Sequence, residues 1–338
     1  MKKTLTLLLI LAAGILHAQE KTFTNPLLPS GADPFSFYKD GFYYYTHTTA
    51  TSIDIWKTRS LADLKTAEHK TIFRPPGGTH FSKHLWAPEI HFLQGKWYAY
   101  FAADSGKNEG HRMYVLENAS PDPMLGEWAF KGRVADPSDK WAIDGNLFEY
   151  KGQLYMIWSG WEGDKDARQD IYIAKMKNPW TIDGHRVMLS KPEYEWEKSG
   201  QKVIVNEGPQ ALMHKGKLMI VYSASGCWTD HYALGLLRFS GKGSPMDSTS
   251  WTKHPEPIFK TNTANKVFAP GHNSFFQSPD GMEDWILYHA NSAPGLGCGG
   301  KRSPRMQRFT WSKDGMPVFG EPVAEGVVLE RPGEKRKK

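Results

Sequence analysis

Val203-Ile204-Val205-Asn206-Glu207-Gly208-Pro209-Gln210-Ala211-Leu212 turns at His214-Lys215-Gly216-Lys217 and returns as Leu218-Met219-Ile220-Val221-Tyr222-Ser223. Two apolar, β-branched runs around a short polar turn containing glycine read as a β-hairpin. The same design recurs four times. Ala32-Asp33-Pro34-Phe35-Ser36-Phe37-Tyr38 turns at Asp40-Gly41 and returns as Phe42-Tyr43-Tyr44-Tyr45, and Ala87-Pro88-Glu89-Ile90-His91-Phe92 turns at Gly95 and returns as Trp97-Tyr98-Ala99-Tyr100-Phe101. Ile143-Asp144-Gly145-Asn146-Leu147-Phe148 has its turn at Gly152, and Gly271-His272-Asn273-Ser274-Phe275-Phe276 precedes Gly281 and Trp285-Ile286-Leu287-Tyr288. Each hairpin opens on a polar anchor: Asp33, Glu89, Asp144, Glu207 and His272, at steps of 56, 55, 63 and 65 residues. A period of this kind signals a repeat architecture.

A third extended run follows in every copy, at Ile53-Asp54-Ile55-Trp56, Arg112 to Leu116, Asp170 to Ala174, Tyr232 to Leu237 and Met306 to Trp311. Trp128, Trp180 and Trp251 then lead runs that end near Val134, Leu189 and Phe259, consistent with a fourth, outer strand. Four antiparallel strands in each of five units predict an all-β chain, a five-bladed β-propeller. No long amphipathic helix with caps is visible, and 32 Gly and 22 Pro fit many tight turns. The first strand of each blade lines the axis, so the five anchors are expected to converge there although they lie far apart in sequence.

Residues 1–18 read as an export signal: Lys2 and Lys3, an apolar run from Leu5 to Ile15, then Ala18. That run is too short to span a bilayer as a stable helix. Leu16 stands where a small residue is usual before a cleavage site, which leaves uncleaved anchoring open. Residues 19–338 are expected to form one domain, because a ring of repeated sheets grows by adding units. An exported protein of this kind is expected in the periplasm or outside the cell, as a monomer with no membrane span after cleavage. The formal charge of +6 includes Lys2, Lys3, Lys335, Arg336, Lys337 and Lys338. Without these six the body is near neutral, which gives no extended surface for nucleic-acid phosphates. Cys227 and Cys298 follow returning strands on adjacent repeats, and both a disulfide and two buried thiols are compatible with that spacing.

Acidic anchors on several inner strands would lie within a few side-chain lengths of one another, where burial and like charge push their pKa values apart. One carboxyl kept protonated for a leaving oxygen, and one ionised to attack or to activate water, suit hydrolysis of a glycosidic bond. The bland reading of Asp33-Pro34 and Asp144-Gly145, taken singly, is a turn carboxylate. Aromatic residues make up 13% of the chain. Trp86, Phe35 and Trp161 lie beside inner strands, where they either stack on a sugar ring or pack between blades.

Four segments in order carry a family resemblance: Ala32-Asp33-Pro34, Trp86-Ala87-Pro88-Glu89, Ile143-Asp144-Gly145 and Asn206-Glu207-Gly208-Pro209. On these the chain resembles the glycoside hydrolases of family 43, five-bladed propellers that act on arabinose- and xylose-containing glycans and invert anomeric configuration. The resemblance implies Asp33 as general base, Glu207 as general acid and Asp144 as the group that tunes and orients Glu207. It assigns Glu89 no catalytic role, so Glu89 is read as structural. Arg302 looks like the family's arginine that reaches a sugar hydroxyl, with Arg305 competing for that role. His272 looks like the family's axial histidine, either hydrogen-bonded or beside a structural calcium ion; the chemistry itself needs no cofactor. The His47-Thr48-Thr49 segment and the absence of an appended β-sandwich look like the branch that removes terminal α-L-arabinofuranosyl units from arabinan or arabinoxylan. The alternatives are a β-xylosidase of the same family and a carbohydrate-binding propeller without catalysis.

Overall fold

In the computed structural model, residues 21–165, 168–199 and 203–333 are described. The export signal at 1–18 and the basic tail at 335–338 lie outside the described residues. The chain forms five four-stranded antiparallel units in sequence order. Sheet I comprises Phe35–Lys39, Phe42–Thr46, Ile53–Thr58 and Glu68–Phe73, and sheet II comprises Lys83–Leu93, Lys96–Asp104, Arg112–Asn118 and Ala129–Val134. Sheet III comprises Ala142–Tyr150, Gln153–Gly160, Arg168–Asn178 and Thr181–Ser190. Sheet IV holds Ile204–His214, Lys217–Ala224, Ala233–Phe239 and Trp251–Lys253, and sheet V holds Phe268–Gln277, Asp284–Asn291, Ser303–Trp311 and Pro317–Val318. A short parallel pairing of Arg168 and Gln169 with Ile204 and Val205 joins sheets III and IV. The described helical residues are short 3-10 segments.

Four of the five opening hairpins turn through two residues that both have positive φ: Asp40-Gly41, Gln94-Gly95, Lys151-Gly152 and Lys215-Gly216. Two successive left-handed residues make the turn whose twist matches that of paired strands, which explains glycine at the second position. Sheet V instead turns through Ser278 to Glu283, where Asp280 accepts hydrogen bonds from Ser278 Oγ and Met282 N.

The core is divided into wedges between neighbouring sheets. Tyr100, Val115, Leu147 and Met156 fill the wedge between sheets II and III. Ile157, Ile173, Ile220 and Leu237 fill the next, and Val221, Leu236, Ile286 and Tyr288 the one after. Tyr43, Tyr45, Leu287 and Met306 join sheet V to sheet I, and Ile53, Tyr44, Ile90 and Phe101 join sheet I to sheet II. Each sheet is therefore buried on both faces, which accounts for the nearly continuous aromatic and aliphatic runs in the middle strands. The first strands neighbour one another in the cycle I–II–III–IV–V–I. Outside the ring, Thr22–Thr24 pairs antiparallel with Val328–Glu330.

Candidate active site

Near the start of each first strand a residue at a matching place has a left-handed backbone: Asp33 (φ 60°), Ala87 (42°), Asp144 (57°), Gly208 (55°) and His272 (47°), with His84 and Ala269 as further ones three residues earlier in sheets II and V. In sheets II to V the ladder slips at this place, between Trp86 and Glu89, Ile143 and Asn146, Glu207 and Gln210, and Gly271 and Ser274. Such bulges re-aim side chains, and here they turn the strand openings toward the centre. The structure thus corrects the alignment of anchors. The equivalent positions are Asp33, Ala87, Asp144, Gly208 and His272, so Glu207 precedes its position by one residue and Glu89 follows by two.

That offset separates two layers. Two residues beyond the bulges, the Glu89 carboxylate is paired with His91 Nε2 at 2.8 Å and accepts from Asn146 Nδ2 at 2.8 Å and from the Gln210 side chain. A buried carboxylate with three partners is a structural hub, as its lack of a catalytic counterpart implied. Above this layer lies a cavity of about 420 Å3 lined by Asp33, Asp144, Glu207, His272, Arg302 and Trp86, among others. It is walled further by Trp141, Gln169, Trp228 and the Cys227–Cys298 pair. A larger cavity of about 590 Å3 opens at the far ends of the first strands of sheets I, IV and V. Its carboxylates, Asp280 and Asp284, are held by Ser278 and Trp311, and it gathers no comparable cluster.

Asp33 is the most heavily partnered of the three carboxyl groups. Its Oδ2 accepts from Thr48 Oγ1 at 2.6 Å, and its Oδ1 lies 3.2 Å from Arg302 Nη1 and 3.3 Å from His272 Nδ1. Thr48 is fixed in turn, because its Oγ1 accepts the Ala87 N–H at 2.7 Å. The Asp33 N–H donates to His289 Nδ1 at 3.0 Å, and burial brings His289 down to about 4, so that ring is neutral at pH 7. Burial works to raise Asp33, but the charges of His272 and Arg302 outweigh it and hold the carboxyl well below its usual range.

Asp144 and Glu207 are displaced in the opposite direction. Burial, opposed by His272 and reinforced by the charges of Glu207 and Asp33, pushes Asp144 up to about 7. Its Oδ2 accepts the Gly208 N–H at 3.0 Å. Burial also raises Glu207, against the pull of a 2.8 Å hydrogen bond from Tyr232 Oη to its Oε1. Burial disfavours charge on His272, yet Asp33, Asp144 and Glu207 together raise it. Gly208 sits against this ring, and a Cβ there would lie 3.2 Å from His272 Cγ.

The other expected residues divide between the cavity and the core. Trp86 and Arg302 line the cavity. Phe35 does not: it is buried beside His91, with ring centres 5.1 Å apart. Trp161 is buried behind Trp141, stacked at 4.8 Å, so that Trp141 presents the aromatic face and Trp161 supports it. Arg305 is fully buried and turned to Glu325 Oε1 at 2.5 Å, because its strand position points into the sheet rather than the cavity. Among the described residues His272 brings no third metal-ligating neighbour within reach, and the nearby carboxylates already have protein donors. This is not the oxygen-rich set that calcium takes from protein alone. Tyr232 and His289 give no local signal of their roles, since each acts through a contact from another strand or sheet, and Thr48 enters the sequence reading only within His47-Thr48-Thr49. Cys227 and Cys298 form a disulfide with a Cα–Cα distance of 5.1 Å.

One carboxyl held ionised beside two pushed toward protonation is the arrangement that hydrolysis of glycosidic bonds uses. The profile of the glycosyl hydrolases family 43 matches residues 23–317. The chain is 41% identical over 319 residues to an extracellular exo-α-(1→5)-L-arabinofuranosidase of Streptomyces avermitilis, covering 92% of this chain and 66% of that protein. A protein of the same name from Streptomyces chartreusis is 39% identical, covering 82% of this chain and 85% of its own length. A crystal structure of an α-L-arabinofuranosidase from Lactobacillus brevis superposes with a TM-score of 0.85 at 38% identity, covering 90% of this chain and 98% of that one. The chain belongs to glycosyl hydrolase family 43 and is a glycoside hydrolase. No helix among the described residues is long and apolar enough to cross a membrane.

Proposed function

We propose that the protein is an exported exo-α-L-arabinofuranosidase that removes terminal arabinofuranosyl units from arabinan or arabinoxylan with inversion. Its five sheets act as the blades of a β-propeller, in one catalytic unit over residues 19–338 that functions as a monomer after an export signal at 1–18. The observation that carries the reading is the divergence of three carboxyl groups inside one cavity. Asp33, held ionised by Arg302, His272 and Thr48, takes a proton from the attacking water. Glu207, raised by burial, gives its proton to the leaving oxygen. Asp144 and Glu207 hold a proton between them, and the Gly208 N–H fixes Asp144 in place for that exchange. Trp86 offers a face to the sugar, and Arg302 both orients Asp33 and meets a sugar hydroxyl.

No cofactor enters this chemistry. A calcium ion beside His272 would be structural and would take most of its ligands from water, given the donors already engaged there. The names of the Streptomyces and Lactobacillus proteins support arabinofuranoside as the substrate. The test is chromophore release from 4-nitrophenyl α-L-arabinofuranoside and from the β-D-xyloside. Cleavage of an α-(1→5)-linked arabino-oligosaccharide, whose leaving sugar oxygen needs the proton, is expected to fall about 10²–10⁴-fold in Glu207→Gln. Selective xyloside cleavage would overturn the substrate assignment, and unchanged turnover of that oligosaccharide in Glu207→Gln would overturn the mechanism.

A further inference from the structure

Behind Trp86, away from the three carboxyl groups, the chain gathers His84, Asp104 and His111. One potential ligand atom from each lies within 4.8 Å of the others. His84 Nδ1 is 2.9 Å from the Asp104 carboxylate, and His111 Nδ1 is 3.2 Å from it. Three elements build the cluster. His84 belongs to the first strand of sheet II, where the ladder slips between Lys83 and Trp86 and His84 takes a left-handed φ of 48°. Asp104 ends the second strand, where its Oδ1 also accepts the Gly106 N–H at 2.7 Å. His111 follows the 3-10 turn Asn108–Gly110. A strained histidine at a bulge persists only where its surroundings hold it, and here its ring is aimed at the carboxylate.

A neutral ring at His111 cannot serve both of its nitrogens. Its Nδ1 faces Asp104 and, at 3.1 Å, Asn108 O, which already accepts the Trp141 Nε1–H at 2.7 Å and the His111 backbone N–H. Its Nε2 faces His84 O at 3.3 Å. A neutral imidazole has one N–H and one lone pair, so either tautomer leaves a lone pair pointing at oxygen. Adding a second proton instead would bury a charged pair, because His111 and Asp104 are both fully buried. A metal ion on Nδ1 resolves the conflict: the lone pair takes the ion and Nε2–H donates to His84 O, the usual arrangement of a ligating histidine.

We infer that His84, Asp104 and His111 form a site for a zinc-class divalent cation, directly behind the Trp86 face of the active-site cavity. Two imidazoles and one carboxylate suit zinc rather than calcium. The His84 side chain is 47% exposed, which leaves a path for the ion and a fourth position for water. The ring of His111 stacks on Trp86 with centres 4.1 Å apart, so the ion would brace a wall of the cavity. The site is independent of which glycoside the cavity cleaves.

The test uses the protein without a histidine tag, stripped with chelator and titrated with zinc chloride by calorimetry, with bound zinc counted by atomic emission. The parent is expected to bind one zinc per chain. His84→Ala, a change at a half-exposed position that should leave the fold intact, is expected to weaken binding at least about tenfold. Cobalt(II) bound by the parent should show the visible absorption of a low-coordinate site, and His84→Ala should lose it. Absence of saturable zinc binding by the parent overturns the inference, as does equal affinity in parent and His84→Ala.

Discussion

Asp33, Asp144 and Glu207 share one cavity yet titrate apart because each has different company. Burial raises both Asp33 and Asp144, but Asp33 faces His272 and a guanidinium, whereas Asp144 has His272 and one backbone N–H against two acidic neighbours. Activity that needs a proton on the Asp144–Glu207 pair should therefore decline as pH rises through about 7, while the acid limb lies below the ordinary carboxylate range. A pH profile of kcat/KM checks this. The same shift acts on stability. Folded Asp144 keeps its proton up to about 7, whereas an unfolded aspartate releases it near 3.9, so the stability this group lends is complete below that value and is lost as pH rises toward 7. Asp144→Asn should consequently be more stable to denaturant than the parent at pH 8, by on the order of a few kcal/mol, while losing most activity. Asp33 has the opposite sign, since its contribution is lost as pH falls below the ordinary carboxylate range. Gly208→Ala combines a left-handed φ with a Cβ 3.2 Å from His272. It should cost about 1–2 kcal/mol in denaturant unfolding and lower kcat through displacement of the Gly208 N–H from Asp144.

At the scale of elements, the opening hairpins were legible because apolar runs and glycine turns are local signals. The outer strands were less so. Glu68–Phe73 is largely polar, Pro317–Val318 has two residues, and Trp251–Lys253 stops well before Phe259, which joins Leu234 only as an isolated bridge. The three carboxyl groups, Trp86, Arg302 and His272 could be found because they sit at or near strand openings or in a family motif. Tyr232 could not, because its role depends on a neighbouring strand bringing it to Glu207, 25 positions away in sequence. Nor could the alignment of anchors be read correctly, since a left-handed residue at a bulge is a backbone property that Ala87 and His272 do not advertise. Two further segments form the rim, one carrying Trp228 and one carrying Arg302. They are tied by Cys227–Cys298 and by Gly295 N–H donating to Asp230. Cys298→Ser should lower kcat as well as raise KM several-fold, because one of the tied segments carries Arg302, which lies 3.2 Å from Asp33. Unfolding stability should fall by about 2–4 kcal/mol.

At the scale of the molecule, burial on both faces of every sheet makes the ring a chain of mutual dependencies. Each sheet completes two wedges of core, so losing one exposes apolar surface on two others. The pairing of Thr22–Thr24 with Val328–Glu330 gives this ring a history as well as a shape. Because a chain emerges N-terminus first, from a ribosome or through an export channel, an interval separates the arrival of the first partner from that of the second. For that interval the early strand waits with its hydrogen-bonding edge open, and sheet I lacks the neighbour that will cover its other face. The last strand made is thus a clasp in time, and the molecule is most open to strangers just before it is finished.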